Sequence, residues 1–449
     1  MNRKIRILST LFLIIMNSSL FSQEKWSLED CISYALSHNL ELNDFQYNID
    51  TNKETHRQAI RSLLPNANGA VDYGIRYGRS ADPNTNSIVD ADFFSNNYLL
   101  EFDMDLFKGF QKLNTIKASK LIYQAAKEES AQQKYLLGFR VMAAFYDILF
   151  FEGALEISKE QQSVSQSNYD LISKKVQLGV SAKSDLYDSE SLLLTDKLEV
   201  TKSENNLRTA KLKLIQEMNL EGGNDIEIQS EILKNDSITN PLEVQTDNVF
   251  NKAMDFLPII EANRLKVEAA EKQVKVSKSN YYPSLTLFGG VGSGYFETNT
   301  DDLGNTISFN QQFENNMYKY VGLSLKIPIS NGWTTRSDVK QKKIELLRAK
   351  NDLKIQEQEL LRTIQDLVLE LQSLEAEYSQ SNLKVKSQFL AFNTAQKKYE
   401  KGMISAIELF TAKNTYALSQ NENLQIKLSL EVNKNTLAFY KGLSIFNIK

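Results

Sequence analysis

Two periodicities divide this chain. Leu360, Ile364, Leu367, Leu371 and Leu374 follow alternating spacings of four and three, the seam of a coiled coil. Leu186, Leu193, Val200, Leu207 and Leu214 recur at every seventh position. Long proline-free stretches frame these seams, 110–178 and 333–401, each of 69 residues. At about 1.5 Å per residue each predicts a helix on the order of 100 Å long. Gly138 and Gly153 interrupt only the first, as bends or close helix contacts. Elsewhere the period falls to two. Val71, Tyr73, Ile75 and Tyr77 alternate with Asp72, Gly74 and Arg76, and Leu100, Phe102, Met104 and Leu106 with Glu101, Asp103 and Asp105. Leu285, Leu287 and Val291 form a weaker version, and Val321, Leu323, Leu325, Ile327 and Ile329 a strong one. Strands of about 9–11 residues, the length of a tilted membrane strand, are expected within about 69–79, 98–108, 284–295 and 318–329. Half-buried strands of a soluble sheet alternate too. Here one face is wholly apolar or aromatic and the other acidic, glycine or basic. The connectors Ser80–Asn97 and Glu297–Asn316 are long and polar, like extracellular loops. Four strands cannot close a barrel, so several chains must pool them.

The pattern occurs twice. Gly109 and Gly332 lie 223 residues apart, as do Gly179 and Gly402, and each pair keeps an internal spacing of 70. Leu64-Pro65 matches Tyr282-Pro283 at an offset of 218, which also brings Ala35 onto Ala253 and Leu42 onto Ile260. Before each tip glycine stands a lysine pair, Lys174-Lys175 or Lys397-Lys398, and six positions after it an acid, Asp185 or Glu408. Lysines near a helix end complement its dipole, a glycine beyond them takes the left-handed cap, and Ser184 with Asp185, or Ser405 with Glu408, suit the first turn of a returning helix. The chain therefore reads as a first repeat over 23–221, an inter-repeat equatorial segment over 222–248, and a second repeat over 249–449, with helical-hairpin tips at 179 and 402. Each repeat opens on a shorter helix, the first within the Gly- and Pro-free stretch Trp26–Leu64.

Composition narrows the function. Six prolines and 18 glycines in 449 residues suit long helices. One cysteine forbids a disulfide framework, and Cys31 reads as a small apolar side chain on the first helix. Two histidines, His38 and His56, stand without a nearby acid or nucleophile pattern; no phosphate loop or metal-spaced cluster occurs, so neither enzyme chemistry nor a cofactor is expected. Residues 1–22 carry Arg3, Lys4 and Arg6 ahead of an apolar run from Ile7 to Met16, a secretory signal with about 10 apolar residues, too short to span a bilayer. Without it the net charge of −4 becomes −7, which gives a nucleic-acid partner no support.

The chain as a whole resembles the TolC family of outer-membrane efflux proteins. The duplicated tips carry the resemblance, with Leu64-Pro65 and Tyr282-Pro283-Ser284-Leu285 before the strands and Phe107-x-Gly109 and Ser330-Asn331-Gly332 after them. Trp26-Ser27-Leu28-Glu29-Asp30-Cys31-Ile32 resembles the family's N-terminal helix, and Gly78–Asn86 the first loop of its Bacteroidota members. The resemblance implies a mainly α fold with transmembrane β: a homotrimer with a 12-stranded β-barrel in outer-membrane lipid, continued by a periplasmic α-helical barrel. It implies a passive duct for small molecules or polypeptides, delivered by a periplasmic adaptor and an inner-membrane RND or ABC pump.

The same resemblance places the periplasmic aperture just after the second tip. Glu408 keeps the family's first acidic position, whereas Thr411 stands where the second is usually aspartate. The first repeat offers Asp185 and Asp188 instead. Three copies of Glu408 around a narrow pore would concentrate cations. Equally, Glu408 and Asp185 suit plain helix N-termini. Gly179, Val180, Ser181, Gly402, Met403 and Ile404 are the expected adaptor-docking tips. Two other readings remain open: a periplasmic adaptor, which would carry one such hairpin between β-domains, and a soluble coiled-coil scaffold, which leaves the alternation at Leu100–Leu106 unexplained.

Overall fold

A computed structural model describes residues 25–81, 86–90, 92–222, 225–229 and 245–443. The secretory signal expected over 1–22, most of the inter-repeat segment and part of the Gly78–Asn86 motif lie outside the described residues. Sixteen-residue to three-residue strands and helices up to 67 residues long fall into two compact units.

The first unit comprises Met1–Gln46, Glu129–Pro258 and Gln356–Lys449. Its elements are α1 (Leu28–His38), the start of α2 (Leu40–Arg61), most of α3 (Gln111–Gln177), α4 (Lys183–Met218), α5 (Thr246–Phe256), the latter part of α8 (Thr334–Glu400) and α9 (Ala406–Tyr440). Ser27 starts α1 with a reciprocal cap: its Oγ accepts from Asp30 N–H at 3.1 Å, and the Asp30 carboxylate accepts from Ser27 N–H at 3.1 Å. Cys31, Ala35 and Ala253 are fully buried, with Phe145, Met142, Leu149 and Leu214 of the long helices. Phe439 gathers Tyr135, Phe139 and Phe256 around it. Helix α3 is unbroken at Gly138 and Gly153; at Gly153 the Leu424 side chain occupies the space a Cβ would need, so this glycine serves a close helix contact.

The heptad seam of α4 buries Leu193, Val200 and Leu214, but its alternate positions are Ser189, Asp196, Ser203 and Ala210, also buried. Ser203 shares a hydrogen bond with Ser158 of α3 at 3.0 Å. On α8 the buried line is Leu360, Ile364, Val368, Leu371 and Leu374; Val368 takes the place expected of Leu367. Asn423 of α9 donates to Ser381 of α8 at 2.9 Å, and Asn435 of α9 to the Tyr146 hydroxyl of α3 at 3.1 Å. Away from these seams α4 exposes Tyr187, Leu194, Leu198 and Leu212, and α8 exposes Leu369, Leu383 and Leu390.

The second unit, Tyr47–Glu128 and Ile259–Ile355, holds an antiparallel sheet. Its strands are β1 (Asn66–Arg76), β4 (Phe93–Lys108), β5 (Ser284–Phe296) and β6 (Tyr318–Lys326), in the order β1-β4-β5-β6. A two-stranded ribbon of β2 (Arg79–Ala81) and β3 (Ile88–Asp90) lies within the first connector. Helix α6 (Pro258–Lys278) leads into β5, and α7 (Phe309–Asn315) lies between β5 and β6. The sheet has two unlike faces. Register puts Val71, Ile75, Leu100, Phe102, Leu287, Leu323 and Leu325 on one face; Asp72, Glu101, Asp103, Thr286 and Lys326 share the other with the rings of Phe288, Tyr318 and Tyr320. The Tyr320 hydroxyl donates to Glu101 at 2.8 Å.

The strands differ from expectation in four places. β1 runs three residues earlier, because Gly78 at φ 78 turns the chain after Tyr77 while Asn66 already pairs with Asp103. β4 begins at Phe93, so the end of the first connector is strand: Phe93 is buried, and Phe94 meets Tyr73 and Tyr295. Near its other end a bulge between Asp105 and Phe107 leaves Leu106 unpaired and brings Phe107, instead of Leu106, opposite Leu285. β6 stops at Lys326, because Pro328 has no N–H to give a ladder, and Ile327 and Ile329 are exposed beyond it.

The second connector also folds. Beyond Gly292 the edge of β5 has no β6 partner, and α7 supplies one. The fully buried Gln312 amide accepts from Phe296 N–H at 3.0 Å and donates to its carbonyl at 3.0 Å, while Asn316 donates to Gly294 O at 2.7 Å. Phe309 and Phe313 pack edge-on to Tyr98.

Both repeats leave the sheet region through the same backbone device. Gly109 and Phe110 take φ 57 and 62, Gly332 and Trp333 φ 60 and 65. A left-handed aromatic residue is strained. At Gly109 a Cβ would stand 2.5 Å from the Ser279 carbonyl oxygen, so only glycine fits.

Candidate functional site

The two tips end their helices in the same way. At the end of α3, Val180 N–H reaches Lys175 O at 2.9 Å and Gly179 N–H reaches Val176 O at 3.0 Å, with Gly179 at φ 75. At the end of α8, Met403 N–H reaches Lys398 O at 2.9 Å and Gly402 N–H reaches Tyr399 O at 2.9 Å, with Gly402 at φ 72. These paired bonds close a helix C-terminus only if the residue after it can turn left-handed. Three residues later the returning helices start. Ser405 caps α9 with a full reciprocal box: its Oγ accepts from Glu408 N–H at 3.3 Å, and the Glu408 carboxylate accepts from Ser405 N–H at 2.8 Å. In the first repeat the cap is Ala182, which has no oxygen to offer; Asp185 alone answers, accepting from Ala182 N–H and from the Ser181 hydroxyl, each at 3.2 Å. Ser184 lies inside the first turn.

The structure brings the tips together. Ile172 of α3, Phe392 and Tyr399 of α8 and Leu409 of α9 form one buried cluster, with Leu186 and Ile404 packed against it. Burial and the nearby Asp185 carboxylate both push the Tyr399 phenol above its ordinary value. Around this core Val180, Met403, Leu178 and Ile407 point outward, each at least 68 % exposed. Of the sequence-derived tip residues, Ile404 is partly taken up by the core. Leu178 and Ile407 were missed, although each is an apolar residue within a few positions of a tip glycine. Glu408, Asp185 and Asp188 are exposed, and the first two are engaged as helix caps.

Above the tip cluster lies a joint that sequence reasoning also missed. Lys413 of α9, with a side chain 2 % exposed, is in salt-bridge contact with Asp196 of α4, itself 8 % exposed, and donates to Ser165 of α3 at 2.7 Å. Burial holds the Lys413 ammonium below the ordinary lysine value, while Asp196 pulls it back up. The signal was available: Asp196 occupies a seam position between Leu193 and Val200, where a charge needs a partner.

The remaining candidates are structural. Burial pushes the Cys31 thiol up to about 12. His38 stacks on Tyr34 with centroids 4.0 Å apart, and His56 bonds Ser119 at 3.1 Å. Among the described residues no group of three or more His, Cys, Asp or Glu could hold a metal ion, and no helix is long and apolar enough to cross a membrane.

Comparison with known proteins agrees with this geometry. The sequence profile described as "Outer membrane efflux protein" matches twice, over residues 31–219 and 251–443. The chain is 23% identical over 288 residues to the outer membrane protein TolC of Vibrio cholerae, covering 64% of this chain and 61% of that protein. It is 22% identical over 195 residues to toxin and drug export protein A of Aggregatibacter actinomycetemcomitans, covering 43% and 41%. The matched stretches thus span less than two thirds of either relative. Among solved structures, CusC superposes with a TM-score of 0.76 at 17% identity over 95% of this chain and 96% of that one. VceC of Vibrio cholerae gives 0.72 at 17% identity over 92% and 96%. At such identity these structures speak for the fold, and the doubled profile match speaks for descent: the chain belongs to the outer membrane efflux protein family.

Proposed function

We propose that this chain is one protomer of a homotrimeric exit duct in the outer membrane, conducting small molecules or polypeptides passively from a periplasmic adaptor and an inner-membrane RND or ABC pump. The observation that carries the reading is the sheet. It is open at β1 and at β6, with an exposed apolar face of Val71, Ile75, Leu100, Leu323 and Leu325 and an opposite face bearing carboxylates. In water such a face is a liability; in a bilayer it is the required surface, provided each open edge finds a partner. Three copies joined β6 to β1 give 12 strands and leave no edge. The exposed leucines of α4 and α8 are further apolar surface for a contact between copies.

Val180 and Met403, with Leu178, form the apolar part of a docking surface for an adaptor, and Gly179, Ser181, Gly402 and Ile404 shape it. Glu408, Asp185 and Asp188 are the candidate aperture acids. Capping bonds fix Glu408 and Asp185 at helix starts, where three copies of a carboxylate would favour cations. A duct needs no chemical step; the pump supplies the energy. An isolated adaptor or scaffold has no use for the two-faced sheet. Single-channel conductance of the extracted protein in a planar bilayer tests this. Stable steps from a trimeric species, with cation selectivity reduced in Glu408→Ala, are expected; a monomer without steps overturns the duct.

A further inference from the structure

We propose that a groove among α3, α8 and α9 binds an amphiphilic organic cation carrying N–H donors. The inference names a cargo class for the duct and rests on that reading for its purpose, although the site itself is tested apart from it. The groove has a volume of about 480 Å³, within the range of small-molecule sites, and lies wholly in the helical unit. Its apolar wall is made by Phe150, Phe151, Leu367, Leu428 and Val432, with the two phenylalanine rings 5.2 Å apart.

The polar end is built around Asn433, which is 3 % exposed. Its Nδ2 donates to Glu370 at 2.9 Å. The Glu370 oxygen is the acceptor of this bond, which fixes which way the amide points. The Asn433 Oδ1 is then a buried acceptor without a donor, a state that costs free energy until an N–H or O–H arrives. The ionisable groups lining the groove are Glu370, Asp147 and Tyr146. Burial and the nearby Glu431 charge push the Tyr146 phenol up to about 12, so it stays neutral near pH 7. Asp147 is paired with Lys213 at 2.8 Å, which leaves Glu370 as the carboxylate beside the orphan amide. A flat apolar cation can therefore place its ring against Phe150 and Phe151 and its N–H between Asn433 Oδ1 and Glu370. An anion of the same shape would face the Glu370 carboxylate and an unpaired oxygen.

The probe is rhodamine 6G, a cationic xanthene with N–H groups, followed by fluorescence polarisation on the full-length protein in lipid nanodiscs with empty nanodiscs subtracted. Fluorescein, an anionic xanthene, is the counter-probe. Saturable binding of rhodamine 6G and none of fluorescein is expected. Asn433→Leu and Glu370→Gln should each weaken binding about tenfold or more, the scale of one charge-assisted hydrogen bond. Because Asn433→Leu alters a buried site, Ser429→Trp, which fills the groove from a half-exposed position, provides the second variant and should abolish binding. No saturable binding, equal binding of fluorescein, or unchanged affinity in both Glu370→Gln and Ser429→Trp overturns the site. Conductance of the same preparation reads the duct separately: channel steps without dye binding sink the site alone, and dye binding without steps sinks the duct alone.

Discussion

Replacing Asp196 with asparagine would strand the Lys413 ammonium in the helical core. The pair is nearly dry, with side chains 2 % and 8 % exposed, and among the described residues the ammonium's other hydrogen bond goes to the Ser165 hydroxyl. Removing one partner of a buried pair costs about 3–5 kcal/mol. The low end applies here, because the Ser165 oxygen and the new amide oxygen still accept hydrogen bonds and the lysine can shed its proton. About 3 kcal/mol corresponds to a fall in melting temperature on the order of 6–12 °C for a cooperative unit of this size. Thermal melting followed by far-UV circular dichroism in detergent measures it. The double variant Asp196→Leu/Lys413→Met replaces two charges by apolar volume and should melt near the wild type or above it. The pH dependence has a definite sign. Burial already lowers the Lys413 value, and in Asp196→Asn the carboxylate that opposed this is gone. The unfolded chain keeps the ordinary lysine value, so between the two values it binds more protons than the native state. The single variant must therefore gain stability as pH rises through that alkaline window. A single variant that melts with the wild type, or a double variant no better than the single one, refutes the joint.

Helix caps, left-handed glycines and the buried thiol each give a further expected outcome. Ser405→Ala removes the oxygen that caps α9 and should cost about 1 kcal/mol, seen as earlier melting; Ser184→Ala, at a position that does not cap, should melt unchanged. Gly109→Ala should be far more harmful than Gly179→Ala, since both glycines are left-handed but of the two only at Gly109 does a Cβ meet a carbonyl oxygen, at 2.5 Å; limited proteolysis and thermal melting would rank them. Cys31, fully buried with its thiol pushed up to about 12, should resist maleimide at pH 7 and label only on unfolding, its thiolate being about one part in 10⁵ there. Rapid labelling of the folded protein would place the first helix wrongly.

Repetition made the helical part legible. A tip that recurs with lysines, glycine and acid at fixed spacing leaves few choices, since only a helix end uses all three. The strand interiors were legible for the same reason of periodicity. Their ends were not, because ends are set by partners rather than by pattern. Phe93 and Phe94 do not alternate with anything in sequence, yet cross-strand rings hold them in β4, and the bulge at Leu106 depends on how Asp105 pairs with Thr286. Glu408 suits an aperture or a cap by sequence alone, and its bonds to Ser405 show that it caps α9. The Asn433 groove could not be read from sequence at all, since Tyr146, Glu370 and Asn433 meet only through the packing of three helices.

The open edges of the sheet also bear on how the proposed trimer comes into being. A protomer whose β1 and β6 lack neighbours carries two unpaired ladders, and neither can be satisfied by the bilayer. Insertion must then wait for encounter, so that the rate of appearance of mature protein scales with a high power of the exported chain's concentration. Modest falls in synthesis or export would cost disproportionately many finished ducts, and the waiting chains would be the species exposed to periplasmic proteases and in need of a holdase. Pulse-chase acquisition of heat-resistant trimer at graded expression would display that steepness directly.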